Sequence, residues 1–461
     1  MSIYIRNLFL LIIITSIVSC TKLIEIPASA PNQLSQLAQF ADSATTMNAV
    51  AAVYTYATQQ QPNVFAFASS AFATSTGLSS DELLTSSSSQ TNLQFYSYSL
   101  TPANANVGTL WSASYQGLYT INAVIENVNT SQGLSASFKQ QITGEMKVVR
   151  ALYYFNLVNL FGPVPLVSST NYKSNASLSR APVDSIYSFI IADLKDAKKV
   201  LKPAYPSSGH LRPNLYTAEA LLSKVYLYRQ QWQDAYNEAS TVINSKVYKL
   251  TTLPNVFLDG NSEAIWQILA TNPNTYSATA EAAAFVPYYS PTPTYVLTPF
   301  LLKAFEPNDQ RFNNWVGLSV IGKDSLYYPY KYKNVVPGAT TEDCMIVRLA
   351  EVYLIRAEAS VNLGSGSDAL GDLNVVRKRA GLNGSTADPA SKTAVMNAIM
   401  HERQVEMFTE WSARWFDLKR WGLAESILGT EKSGWQAFAA LYPVPAPEIQ
   451  NNVNLNQNSG Y

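Results

Sequence analysis

Between residues 346 and 382 the apolar positions recur at helical spacing. Ile346, Leu349, Ala350, Tyr353, Leu354, Ala357 and Val361 form one stripe, and Ala369, Leu373, Val376 and Ala380 form a second. Steps of three and four residues put such side chains on one face of a helix, so each stripe predicts an amphipathic helix. Leu363-Gly364 ends the first, Ser367 is placed to cap the second, and Gly381 stops it as a C-terminal glycine does. Two helices joined by a short polar turn make an antiparallel hairpin. Leu349-Ala350-x-x-Tyr353 also follows the first-helix signature of tetratricopeptide pairs, in which a small residue admits the partner helix and an aromatic fills the groove beside it. Leu222-Ser223-x-x-Tyr226 repeats the signature, with Ala235 placed as the small residue of its second helix. Ala151-x-x-Tyr154 is a third copy without the leading Leu. Wide, unequal spacing of the copies predicts an interrupted array and not a uniform solenoid.

The same periodicity predicts helices over 49–58, 111–128, 138–161, 184–201 (capped by Asp184), 214–229, 232–245 and 392–409, with a further segment at 413–426. It fails in two places, approximately 62–109 and 250–340. In the first, β-prone pieces at 64–67 and 93–100 lie among Ser, Thr and Asn, with the acidic pair Asp81-Glu82 between them. In the second, 264–269 reads as a strand, and eight tyrosines with Trp315 sit among Pro, Asn and Ser between 271 and 333. Aromatics in a Pro-rich loop serve no helix face, so some are expected to line a surface, while Trp315 and Tyr330 are expected in a small core beneath the loops. The expected fold is mainly α: about four tetratricopeptide-like helix pairs carrying a loop-rich insertion subdomain with a few short strands.

The N-terminus departs from this pattern. Arg6 precedes an apolar run from Leu8 to Val18 that is too short to span a bilayer, and Ile17-Val18-Ser19-Cys20 forms a small-residue cleavage site ending in Cys. This predicts a lipoprotein signal peptide over 1–19, lipidation of Cys20 and a single domain over 20–461. Acyl chains contributing about 0.8 kcal/mol per buried methylene would tether such a protein to a membrane without spanning it.

Charge removes one class of partner. The chain has 32 basic and 32 acidic residues, so nothing suggests a nucleic-acid partner. Charged residues are only 14% of the chain, and 28 tyrosines with many Ser, Thr and Asn take the surface role, which predicts a neutral, hydrogen-bonding, aromatic exterior. With Cys20 lipidated, Cys344 is left without a disulfide partner and is expected as a small hydrophobe at the head of an apolar helix.

Particular segments carry a family resemblance: GEMKVVRALYYFNLVNLFGPVPLV at 144–167, RLAEVYLIRAEASVNLG at 348–364, ERQVEMFTEWSARWFDLKRWG at 402–422 and LYPVPAPEIQNNVNLNQNSGY at 441–461, with further matches at 180–197 and 212–235. Together these resemble the SusD/RagB family of Bacteroidetes surface lipoproteins. One departure is Trp411, where that family usually has Gly. The resemblance implies the fold expected above and an outer-membrane, cell-surface location. It also implies a role: capture of a nutrient, oligosaccharide or peptide, for delivery to a SusC-like TonB-dependent transporter. It leaves the ligand open, because the matching motifs are scaffold.

Sugars present flat C–H faces and a rim of hydroxyls, which call for exposed rings and for amide or charged hydrogen-bonding groups. The candidates are Tyr96 in the first insertion and Tyr276, Tyr288 and Tyr289 in the second, with Asn104, Asn106, Asn272 and Asn274 as polar partners. Asp81-Glu82 is expected to be structural. Few charged groups in these loops favour a glycan over a peptide, and a helix-repeat adaptor with no small ligand is the alternative from another class. No enzyme, metal or cofactor is predicted. His210 and His401 lack partners for zinc or a catalytic triad, and Asp259-Gly-Asn261-Ser-Glu263 lacks the spacing of a calcium-binding EF-hand. Glu402, Arg403, Arg414, Asp417 and Arg420 are expected to pair with one another in the helical core.

Overall fold

The computed structural model describes residues 36–58, 67, 70–270, 279–335 and 342–461. The predicted signal peptide, Cys20, Asn272, Asn274 and Tyr276 lie outside them. Ten helices form the scaffold: α1 (Ser43–Thr58), α2 (Ala105–Thr130), α3 (Ala136–Phe161), α4 (Val183–Val200), α5 (Leu215–Tyr228), α6 (Trp232–Asn244), α7 (Leu349–Asn362), α8 (Gly366–Arg379), α9 (Lys392–Glu406) and α10 (Ala413–Arg420). From α2 to α8 each packs on the one before it, and α9 packs on both α7 and α8. The pairs α3/α4, α5/α6 and α7/α8 are the predicted tetratricopeptide-like hairpins, and the small signature residues do the work assigned to them, while Tyr154 and Tyr226 are buried and Tyr353 is only half-buried. Ala151, Ser223, Ala235 and Ala350 are buried where helices meet, and the Tyr154 hydroxyl donates to Val167 O at 2.8 Å.

Side-chain caps fix where the helices begin. Asn214 and Thr217 form a capping box on α5, Ser135 Oγ accepts from Phe138 N to start α3, and Gly381, at φ +81, turns the chain out of α8. Helices α2 and α3 approach so closely at Gly117 that a Cβ there would lie 2.2 Å from the Tyr153 ring. That ring is itself stacked on Phe67 with centroids 3.5 Å apart and has nowhere to move. Gly117→Ala is therefore expected to destabilise the protein by about 1 to 3 kcal/mol in urea denaturation, overpacking outweighing the gain in helix propensity of about 1 kcal/mol.

Among the described residues eight strands form four antiparallel pairs. These are β1 (Leu83–Thr85) with β5 (Tyr295–Leu297), β2 (Val164–Pro165) with β3 (Arg180–Ala181), β4 (Ala264–Ile268) with β8 (Cys344–Arg348), and the hairpin β6 (Val316–Ile321) with β7 (Asp324–Pro329). Strand β8 corrects the sequence reading, which placed Ile346 on the stripe of α7 and Cys344 at a helix head. All five of its residues are buried, so the segment has no polar face, and pairing with β4 takes it out of the helix. The first insertion is also more regular than expected. Ala71–Ser79 and Gln90–Tyr96 are helices, the latter where a β-prone piece was read. The 413–426 segment breaks after α10 and resumes as a separate helix, Ala424–Glu431. Pro182, not Asp184, holds the N-cap position of α4.

Both insertions are fixed to the scaffold by buried ion pairs. The acidic run Glu402, Glu406 and Glu410 meets Arg311 and Lys331 of the second insertion, with Arg348 and Arg379 beside them. Asp81 of the first insertion takes both arms of Arg414, at 2.8 and 2.6 Å. Arg403 and Arg420 share Asp417, so the predicted charged set is paired, although two of its partners, Asp81 and Arg311, come from the loops. Trp315 is buried, as expected, with its indole N–H donated to Leu253 O at 3.0 Å. Trp411 sits at φ +45, a conformation that favours glycine, and is held there by its indole N–H on Met345 O at 2.6 Å.

Candidate ligand-binding surface

The β1–β5 pair is where the two insertions meet. Its register is extended by Ser86, whose N–H donates to Thr294 O at 2.9 Å and whose hydroxyl donates to Pro293 O at 2.8 Å. The segment leading into β5 carries Pro287, Pro291 and Pro293, which supply no N–H and fix φ, so it becomes neither helix nor ladder. It is pinned from the other side by the Ser319 hydroxyl of β6 on Pro291 O. On this segment Tyr288 and Tyr289 stand out from the surface, 48% and 86% exposed. Their rings meet edge to face with centroids 4.9 Å apart and planes at 79°.

Behind the pair, Tyr295 packs on Phe285 and its hydroxyl accepts from Asn92 Nδ2 at 3.1 Å. Asn92 Oδ1 in turn accepts from Asn106 Nδ2 at 3.2 Å. This neutral relay ties the segment to the start of α2. Charge is absent from both sides of the junction, since residues 83–125 and 282–302 contain no Asp, Glu, Lys, Arg or His. The surface can stack on an apolar ligand face and exchange neutral hydrogen bonds.

Of the described candidates, the structure brings Tyr288 and Tyr289 together and gives the others different work. Asn104 is 6% exposed and caps α2. Its Oδ1 accepts from Asn106 N at 2.9 Å and Val107 N at 3.2 Å, and its Nδ2 donates to Thr91 O at 3.0 Å and Gln94 Oε1 at 2.8 Å. No hydrogen-bonding capacity is left for a ligand. Tyr96 is half-buried and covers the Lys432 ammonium, 4.8 Å from its ring centre, while that ammonium donates to Ser80 O and Leu78 O. Asn106 is engaged in the relay.

The other polar groups singled out in the sequence have partners within the protein. Asp81 is paired with Arg414, and Glu82 accepts from Thr409 N at 3.2 Å. In the Asp259–Glu263 loop, Asn261 Oδ1 accepts from Glu263 N at 2.9 Å and Glu263 is bound to Arg348 and Arg379, so its oxygens do not converge. His401 Nε2 lies 2.7 Å from Ala304 O at the edge of a polar recess whose Arg377 and Glu306 are paired with each other. Among the described residues no three His, Cys, Asp or Glu side chains are grouped to hold a metal. The sequence reading missed one aromatic cleft, lined by Trp111, Tyr115, Tyr119 and Tyr172. Three of these recur every fourth residue along α2, the signal that would have found them.

Comparison with known proteins places this architecture. The model of the SusD family matches residues 303–439, and a second family model, described as starch-binding associating with outer membrane, matches residues 32–227. A SusD-like protein of Bacteroides ovatus is 27% identical over 410 residues, covering 75% of this chain and 71% of the relative. Starch-binding protein SusD of Bacteroides thetaiotaomicron is 35% identical over 127 residues, 26% of this chain and 22% of that protein. Among solved structures, a laminarin-binding SusD-like protein superposes with a TM-score of 0.76 at 26% identity, over 91% of this chain and 100% of that one. A SusD superfamily protein from Bacteroides vulgatus, at 23% identity, shares the fold with a TM-score of 0.80 over 92% of this chain and 100% of its own. With both ends of the chain matched by models of one group and the helical fold shared throughout, the chain belongs to the SusD/RagB family.

Proposed function

We propose that the protein is a lipid-anchored, cell-surface glycan-binding protein of the outer membrane. It captures a neutral oligosaccharide on Tyr288 and Tyr289 and passes it uncut to a SusC-like TonB-dependent transporter. The observation that carries this reading is the exposed tyrosine pair on one of two charge-free sequence stretches that meet at the β1–β5 pair. A peptide offers charged termini, and a peptide site would oppose them with charge of its own; the two stretches that meet beside the pair carry none. Relatives named for starch and laminarin, both neutral glucans, support the ligand class, and the family description supports the outer membrane. The anchor is Cys20, with the domain running from there to Tyr461. Among the described residues no helix is long and apolar enough to cross a membrane, which is consistent with a tether.

Calorimetry with malto- and laminari-oligosaccharides tests the site. Replacing Tyr288 and Tyr289 together by Ala is expected to weaken binding by about 1 to 2 kcal/mol, roughly five- to thirty-fold in Kd. Unchanged affinity would remove the pair from the site. Silence across a broad glycan panel, with tight binding to the transporter, would favour the adaptor.

A further inference from the structure

We infer that the protein holds a second site for neutral sugar, in the cleft between α2, the connection at 165–178 and the C-terminal segment at 448–455. The inference rests on the glycan-binding reading and adds to it a surface separate from Tyr288 and Tyr289. Trp111, Tyr115 and Tyr119 lie four residues apart along α2, so their side chains line one face of the helix. Trp111 is buried at the base, edge-on to Phe161 with centroids 5.0 Å apart and 5.1 Å from Tyr115. Tyr115 is fixed by its hydroxyl, which donates to Pro165 O at 2.8 Å. Above them Tyr119 and Tyr172 are 55% and 71% exposed. The cleft has a volume of about 340 Å3, which places it among small-molecule sites of roughly 300 to 1,000 Å3.

The lining selects the ligand class. A groove for a partner helix would show aliphatic side chains, whereas the exposed large apolar residues here are both tyrosines. Among the described residues no Lys, Arg or His lines the cleft, so a phosphate, sulfate or carboxylate would meet no opposite charge there. The polar lining is three amides, Asn175, Asn451 and Asn452, and one carboxyl, Glu448. Two of the amides are held in place, Asn175 Nδ2 donating to Ser169 O and Asn452 Nδ2 to Leu178 O, each at 2.8 Å. Glu448 is kept by burial above the usual carboxylate range and is hydrogen-bonded by Trp111. Rings for the C–H faces of a pyranose and fixed amides for its hydroxyls are thus assembled before any ligand arrives. Asn106, the last member of the relay behind Tyr288 and Tyr289, and Tyr119 are about 20 Å apart along the axis of α2. Two grips on one polysaccharide favour long chains over short ones by raising the effective concentration of the second contact.

The test is affinity electrophoresis of the full chain in gels containing starch or laminarin, with calorimetry on maltoheptaose and laminariheptaose. Tyr119 and Tyr172 are exposed, so the double variant Y119A/Y172A is expected to keep the parent's melting temperature. It should lose several-fold in retardation by polymer and reduce the number of oligosaccharides bound from two to one. Y288A/Y289A should leave one site, and the quadruple variant none. If Y119A/Y172A binds every probe as the parent does, the second site is overturned while the glycan-binding reading stands. If the parent binds none of the four probes, both fall.

Discussion

Replacing Glu406 by Gln should cost about 3 to 5 kcal/mol of folding stability, the largest loss expected from any change of one charge in this protein. Glu406 is buried and accepts from Arg348, Arg379 and Arg311 at once. The cluster around it sets Arg311, Lys331, Arg348, Arg377 and Arg379 against Glu263, Asp309, Glu402, Glu406 and Glu410, with Glu306 at its edge. Removing one anion leaves a guanidinium inside the protein without its counter-charge, and desolvation then has nothing to offset it. Burial alone would raise the Glu406 carboxyl, but Arg379, Arg348 and Arg311 overcome it and hold the group well below the usual carboxylate range. Glu410 is lowered in the same way by Arg348 and Lys331 against its own burial. Groups whose pKa is lowered by folding stabilise above their unfolded value and lose that contribution only as pH falls through the folded one. The parent should therefore resist moderate acid better than E406Q. Denaturant unfolding at neutral pH measures the difference, and a loss below about 1 kcal/mol would mean that water already reaches the cluster.

Glu82→Gln is expected to act in the opposite direction and stabilise the protein. Burial, reinforced by Asp81, pushes the Glu82 carboxyl up to about 8 against the pull of the Thr409 N–H, Arg414 and Lys331. Below the unfolded value of 4.5 both states are protonated and the group is silent. Between there and about 8 the native state keeps a proton that the unfolded chain has released, so stability falls as pH rises through this window. Glutamine stays neutral throughout and retains an oxygen for the Thr409 N–H. E82Q should match the parent near pH 4.5 and exceed it at pH 8 by on the order of a few kcal/mol. Melting curves at the two values decide it, and an equal gain at both would show that charge is not the cause. Some slope will remain, because Glu281, Asp343 and Glu431 are each raised by burial to about 7.

The scaffold was legible because helical periodicity is local, and Leu349-Ala350-x-x-Tyr353 states its own packing. Other elements depend on residues far away in sequence. Strand β8 shows a helical stripe until β4, some eighty residues earlier, claims it. The Ala71–Ser79 helix is buried almost all round, so it lacks the contrast of faces that marks an amphipathic helix. Tyr288 and Tyr328 are both loop-region tyrosines in sequence, yet one is exposed and the other lies in contact with Gly317. Exposure is decided by tertiary packing and is not written in the residue. Asn104 was legible as a helix cap had α2 been started at its true N-terminus; read as starting at Trp111, the helix left Asn104 looking free.

A surface built from the two chargeless stretches projects almost no long-range field of its own, so incoming molecules are not steered toward it, and dissolved salt has little to screen. Capture should proceed at the same pace in dilute and saline water. Without that pull, affinity has to come from slow release after contact, and a molecule built this way works by retention.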